Sequence, residues 1–224
     1  EKVTMLGLGG FHVGWTTEKD AQEVIETAME GGIRFFDTAH NYGKGLSEER
    51  YGKYLVPKYR DEVFIMTKST APNGKKLEEE FELSLQRMKT DYVDLLQIHS
   101  IKTPEDVDGR VANGVIESIL KIKESGKAKY IGFTGHQNPY AHLRMIEKLG
   151  NDHQFATTQL PVNVVDYASE HSFVQKVIPQ AIDQNLAVLA MKSLADGRFF
   201  SKKQMIERKV WETETPVVPN YISV

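Results

Sequence analysis

An α/β fold built on one parallel sheet is predicted by three features of this 224-residue chain. Short, nearly continuous apolar runs such as VFIMT, DLLQI and LAVLAM recur along it, as strands buried on both faces do. Between them lie longer segments whose apolar residues return every three or four positions, the mark of helices covering a sheet. Third, Asp37, Lys68 and His99 end three successive apolar runs at equal intervals of 31 residues. A closed barrel of eight strand–helix units, at ~250 residues, has about 31 residues per unit. The prediction is therefore a (β/α)8 TIM barrel whose ionisable strand ends meet at one mouth.

The elements follow in order. Residues 5–12, MLGLGGFH, read as a strand and a glycine turn. Gly7 and Gly9 fit the start of a dinucleotide fingerprint, but His12 stands where its third glycine belongs, and that reading is set aside. Ala21, Val24, Ile25, Ala28 and Met29 share one helical face, which Gly31 and Gly32 terminate. Residues 33–36 form a second strand, which runs into the polar cluster Asp37, Thr38, His40, Asn41 and Tyr42. A helix over 47–58 leads to the third strand, VFIMTKS, ending at Lys68. Leu77, Phe81, Leu85 and Met88 mark the next helix, and residues 94–100 the fourth strand, ending at His99.

The cycle then repeats. Val115, Ile116, Ile119, Leu120 and Ile122 make a helix closed by Gly126, and YIGFTGH a strand ending near Thr134. Asn138 is an N-cap with Pro139 at the first helical position, and that helix stops at Gly150. FATTQLPVN is the sixth strand. A helix from Phe173 to Ile182, with a kink expected at Pro179, precedes the seventh strand at 186–194. Beyond it, residues 197–220 are charged, contain Pro216 and Pro219, and hold one weak helical stretch at 202–210. Residues 1–224 are read as a single barrel domain, incomplete at its C-terminal end, with the eighth strand missing.

Composition narrows the function. Twenty-eight basic against 31 acidic residues leave −3, which argues against nucleic-acid and membrane surfaces as partners. No cysteine is present, so disulfides, thiolate nucleophiles and thiolate metal sites are excluded. Lack of cysteine and of a signal-like segment fits a cytoplasmic protein, and a removed export leader is also compatible. No compact histidine spacing supports a metal, although His12, His40, His99 and His136 all follow strands. Nothing in the sequence sets an oligomeric state.

The segments GGIRFFDTAHNYG, IMTKS, LLQIHS, IGFTGH and LAVLAMKSLADG, in this order and spacing, resemble the aldo-keto reductases from Leu6 to about Gly197. The resemblance implies NAD(P)H-dependent reduction of a small-molecule aldehyde or ketone, with Asp37, Tyr42, Lys68 and His99 catalytic. A carbonyl that accepts hydride gains negative charge on oxygen and needs a proton. Tyr42 would supply it, Lys68 would lower the phenol's pKa, Asp37 would hold Lys68 charged and oriented, and His99 would hydrogen-bond the substrate oxygen.

The resemblance also implies cofactor contacts at Gly10, Asp37, Thr134, Gly135, Gln159, Met191, Lys192, Leu194 and Gly197. Four of these have family counterparts residue by residue. Thr134-Gly135 stands where relatives carry Ser-Asn, Gln159 matches the amide-binding glutamine, and Met191 replaces a stacking aromatic ring. NADP is the expected cofactor, with NAD possible. Three other readings stay open: a cofactor-binding regulatory subunit with little turnover, a Schiff-base aldolase using Lys68, and a purely structural Asp37–Lys68 pair.

Overall fold

The computed structural model describes residues 2–151 and 154–194. Seven strands, β1 (Gly7–Gly9), β2 (Phe35–Asp37), β3 (Phe64–Ser69), β4 (Val93–Ile98), β5 (Ala128–Thr134), β6 (Thr157–Pro161) and β7 (Ala187–Met191), form one sheet in sequential order. Every adjacent pair is parallel. Each crossover carries helix: α1 (Glu18–Glu30), α2 (Leu46–Arg50), α3 (Val56–Tyr59), α4 (Gly74–Met88), α5 (Pro104–Ala112), α6 (Val115–Glu124), α7 (Pro139–Leu149), α8 (Val164–Tyr167) and α9 (Phe173–Asp183). This is the predicted architecture, seven of the eight strands of a (β/α)8 barrel. Gly197 and the expected stretch at 202–210 lie outside the described residues.

Local chemistry explains the boundaries. Thr17 caps α1 by accepting from the Asp20 amide, and Ala21, Ile25, Ala28 and Met29 face inward. Gly32, at φ 85°, supplies the left-handed turn into β2. Asn73 and Asn138 cap α4 and α7 in the same way, and Pro139 opens α7 as predicted. α5 was not anticipated: its only buried side chains are Val107 and Arg110, too few to make an apolar stripe. Its capping signal, Thr103 followed by Pro104 and accepting from Asp106, was nevertheless present. α8 is a single turn with no buried residue, held by Asn163.

The helix expected at 47–58 is interrupted. Between α2 and α3 a π-helical turn spans Tyr51–Leu55. It brings Gly52 against the end of α4, where a Cβ would lie 2.2 Å from the Arg87 carbonyl oxygen. Such π turns recur at functional sites. Here the turn also buries Tyr51, whose hydroxyl donates to the Asp37 carbonyl at 3.1 Å.

The sheet curls. Strands lie about 4.8 Å apart, so in a flat sheet β2 and β6 would stand roughly 19 Å from each other. Instead Gln159 Nε2 on β6 donates to Asp37 Oδ2 on β2 at 3.1 Å. Gln97 Nε2 on β4 likewise reaches Thr157 Oγ1 on β6 at 3.1 Å. Gly132 on β5 makes room for this closure, since a Cβ there would meet Thr157 Oγ1 at 2.1 Å.

The opposite end of the sheet is held by charge. Asp94, at the start of β4, is 2% exposed; it accepts from the Ile65 amide at 2.9 Å and from Lys129 at 2.8 Å, and pairs with Arg60 at 2.9 Å. Arg60 stacks on Tyr92, 3.8 Å from the ring centroid. Asp94→Ala removes the counter-ion of the half-buried Arg60 and the acceptor of a buried backbone donor, so a loss of about 3 kcal/mol is expected. Urea unfolding checks it: a lowered midpoint at unchanged slope is the predicted result.

Candidate active site

The C-terminal strand ends gather the predicted cluster. β2 ends at Asp37, and the chain continues through Thr38, whose hydroxyl donates to Ser47 Oγ at 2.8 Å. Ser47 in turn donates to the Gly10 carbonyl at 2.8 Å, fastening the end of β1 to the start of α2. Gly10 fits against β2 because it has no side chain: a Cβ would lie 2.3 Å from the Asp37 carbonyl oxygen. Tyr42 follows on a tight turn in which Gly43, Lys44 and Gly45 all have positive φ, of 59°, 59° and 102°. Gly43 packs on Gly14 so closely that a Cβ would meet its carbonyl oxygen at 2.2 Å.

Lys68 comes from β3 and is 2% exposed. Its ammonium donates to Asp37 Oδ1 and, at 2.7 Å, to the Thr38 carbonyl. The same ammonium stands 5.0 Å from the centroid of the Tyr42 ring. His99 directly follows β4 and presents its ring edge-on to Tyr42, with centroids 5.7 Å apart at 78°. Arg110 from α5 steadies this strand end by donating to the carbonyls of His99 at 2.9 Å and Ser100 at 3.4 Å. All four predicted side chains therefore meet at one place.

Electrostatics refine the expectation for Tyr42. Burial pushes its phenol above the ordinary value of 10, Lys68 opposes that shift, and Asp37 adds to it. Lys68 does lower the pKa, as its chemistry requires, but burial wins and the net direction is up. Tyr42 is thus a protonated donor at neutral pH. His99 is held well below the usual histidine value of 6.5, first by burial and then by the charges of Lys68, His136 and Arg110. Its ring is neutral, and its Nδ1 is buried without a hydrogen-bond partner.

Residues expected at the cofactor lie on the far strands. Thr134 and Gln159 are register partners on β5 and β6, and both are buried. Gln159 Nε2 is committed to Asp37, while its Oε1 is buried with no partner, an acceptor waiting for a donor. Gly135 leaves a tight space in which a Cβ would crowd the Ile101 carbonyl at 2.6 Å and His142 Nε2 at 2.9 Å. Met191 ends β7 half-buried, and Lys192 and Leu194 after it are exposed. Gly197 lies outside the described residues.

Sequence reasoning missed several neighbours. Phe11 meets Tyr42 edge-on at 5.3 Å and also contacts His12 and Trp15, forming an aromatic rim after β1. Tyr51 and Arg110 support the cluster from behind, through the carbonyls of Asp37 and His99. Their signal was absent because each acts through a contact distant in sequence. Trp15 belongs to this rim, whereas Tyr140 packs on His171 beside α9. Two surface grooves, of about 540 Å³ along α1 and about 600 Å³ between α7 and α9, lie away from the cluster. Among the described residues no group of three or more His, Asp or Glu is placed to hold a metal, and no helix is long and apolar enough to cross a membrane.

His142, behind Gly135, is fully buried, and burial takes its imidazole down to about 3. Folded protein therefore binds this proton less readily than unfolded chain, and stability falls as pH drops below the ordinary histidine value. Between pH 6 and 5 the loss from this residue is about 1 kcal/mol. Urea unfolding of wild type and His142→Gln at both pH values reads it: the wild-type loss exceeds the variant's by that amount, and equal losses would contradict the assignment.

The model of the Aldo/keto reductase family matches residues 5–221. Among curated relatives, aldo-keto reductase YhdN of Bacillus subtilis (strain 168) is 31% identical over 210 residues, covering 87% of this chain and 58% of that protein. D-threo-aldose 1-dehydrogenase of Pseudomonas sp is 30% identical over 166 residues, covering 58% of this chain and 49% of the relative. The chain thus spans about half the length of these relatives. Among solved structures, aldo-keto reductase AKR11C1 from Bacillus halodurans, in its holo form, superposes with a TM-score of 0.75 at 22% identity, over 96% of this chain and 75% of that one. That likeness shows the barrel fold, and the family model, matched along almost the whole sequence, shows the rest: this chain belongs to the aldo/keto reductase family.

Proposed function

We propose that this chain is the catalytic barrel of a nicotinamide-dependent reductase that turns a small-molecule aldehyde or ketone into an alcohol. The observation that carries this reading is the convergence of Tyr42, Lys68, Asp37 and His99 at one strand-end cluster. Tyr42, protonated at neutral pH, gives its hydroxyl proton to the carbonyl oxygen as negative charge develops there. Lys68 stabilises the phenolate left behind, and Asp37 with the Thr38 carbonyl fixes the ammonium in place. Neutral His99 donates a hydrogen bond to the same oxygen and orients it. Residues 1–224 act as one domain in this reading.

A reduced nicotinamide supplies the hydride when bound. The residues present fit it. The unpartnered Gln159 Oε1 can accept from a carboxamide, and Thr134, its register partner on β5, offers a hydroxyl. Gly10 and Gly135 let the strand ends on either side pack closely around this place, and Asp37 holds Gln159 by a hydrogen bond. Met191 offers a thioether to a ring face, Lys192 a cation to a pyrophosphate, and Leu194 follows them in the described chain. NADP is the favoured form, with NAD the alternative, and the cytoplasm the proposed location for a chain that has no cysteine.

The Schiff-base alternative is disfavoured by Lys68 itself. An aldolase lysine must reach substrate as a free amine, whereas this one is buried and donates to two oxygens. Oxidation of NADPH and of NADH followed with a panel of aldehydes tests the proposal. Wild type should turn over, and Tyr42→Phe and Lys68→Met should lose about 10²-fold or more in kcat. If wild type and Tyr42→Phe both bind the cofactor and neither oxidises it, the regulatory-subunit reading replaces this one.

A further inference from the structure

We propose that Glu48 and Arg87 are positioning residues for Tyr42: their buried ion pair fixes both ends of the turn that carries the phenol and ties it to the strand that carries Lys68. The inference rests on the reductase reading of Tyr42. Glu48 on α2 is fully buried. One of its oxygens accepts from Thr67 Oγ1 at 2.6 Å, and Thr67 immediately precedes Lys68 on β3. Its other oxygen meets Arg87 Nη1, from the end of α4, at 3.2 Å.

Arg87 then reaches the turn itself. The same Nη1 donates to the His40 carbonyl at 3.0 Å and lies 3.3 Å from His40 Nδ1, which also faces Ser84 Oγ at 3.4 Å. At the far end of the turn the guanidinium lies against Gly45, where a Cβ would stand 2.4 Å from Arg87 Cζ. His40 and Gly45 flank Tyr42 on either side. Arg87 is itself anchored, because Gly52 in the π turn seats directly on its carbonyl oxygen.

Two physical arguments favour positioning over mere support. Three consecutive residues after Tyr42 are left-handed, including the non-glycine Lys44, and such backbone persists only where its surroundings over-determine it. A buried ion pair is also a poor source of stability, since apolar residues of similar volume often serve as well or better. What such a pair supplies here is geometry. It makes the separation of the phenol from the Lys68 ammonium independent of the loop's own flexibility.

Arg87→Met leaves Glu48 buried and unpaired, so it is expected to lose stability as well as rate. The double variant Glu48→Gln/Arg87→Met separates the two effects, because no unpaired charge remains. It should regain part of the stability that Arg87→Met loses, yet stay about 10²-fold low in kcat with KM for NADPH within roughly twofold of wild type. A readout that needs no activity comes from the Tyr42 ring proton signals, assigned by their loss in Tyr42→Phe. In the double variant they should move as the edge contacts to His99 and Phe11 loosen. Recovery of both stability and wild-type kcat, with the Tyr42 signals unmoved, would overturn the proposal. If wild type shows no carbonyl reduction at all, the reductase reading fails and the signals alone decide: unmoved, they overturn positioning; moved, they sustain it.

Discussion

The contact between the Asp37 carboxylate and the Lys68 ammonium is the constraint on which the rest of the cluster depends. Two neighbouring parallel strands each deliver one charge to the same point, and the low exposure of both leaves little water to screen them. Removing either would leave the other buried and unpaired, which is costly. The pair is further engaged on both sides. Lys68 also holds the Thr38 carbonyl, and Asp37 also holds Gln159 from across the barrel. These contacts together join β2, β3 and β6 and hold the Lys68 charge beside Tyr42.

Tyr42 shows how competing terms decide a protonation state. A lysine beside a phenol favours phenolate, and from residue types alone the expected shift is downward. The structure adds desolvation and the opposing charge of Asp37, and the sum is upward. The same burial drives His99 to the neutral form. The site thus presents a proton on oxygen and an uncharged imidazole, a combination suited to hydrogen-bonding and then protonating a carbonyl oxygen. In the proposed reduction Lys68 would stabilise the phenolate that forms, while at rest it only opposes the rise that burial causes.

Much of this was legible before any coordinates. Strands β3, β4 and β6 are visible because both of their faces are buried, and the regular 31-residue phase already placed Asp37, Lys68 and His99 together. Caps such as Asn138-Pro139 are local chemistry and read true. α5 and α8 escaped because they bury few or no side chains, leaving periodicity nothing to report. The π turn escaped because Gly52 is required by a carbonyl at the end of α4, far away in sequence. Phe11, Tyr51 and Arg87 act on the cluster through the same kind of distant contact, so the supporting shell was harder to read than the charged groups it supports.

The central claim is that Lys68 acts electrostatically on the Tyr42 phenol within this cluster, against burial and against Asp37, with His99 the neutral neighbour. The most direct measurement is the titration of the Tyr42 phenol, followed by NMR of ring-labelled tyrosine, in wild type and in Lys68→Met. With the ammonium gone, burial and the unpaired Asp37 act unopposed, and the Tyr42 pKa is predicted to rise above its wild-type position. An unchanged or lowered value in a folded variant would contradict the account.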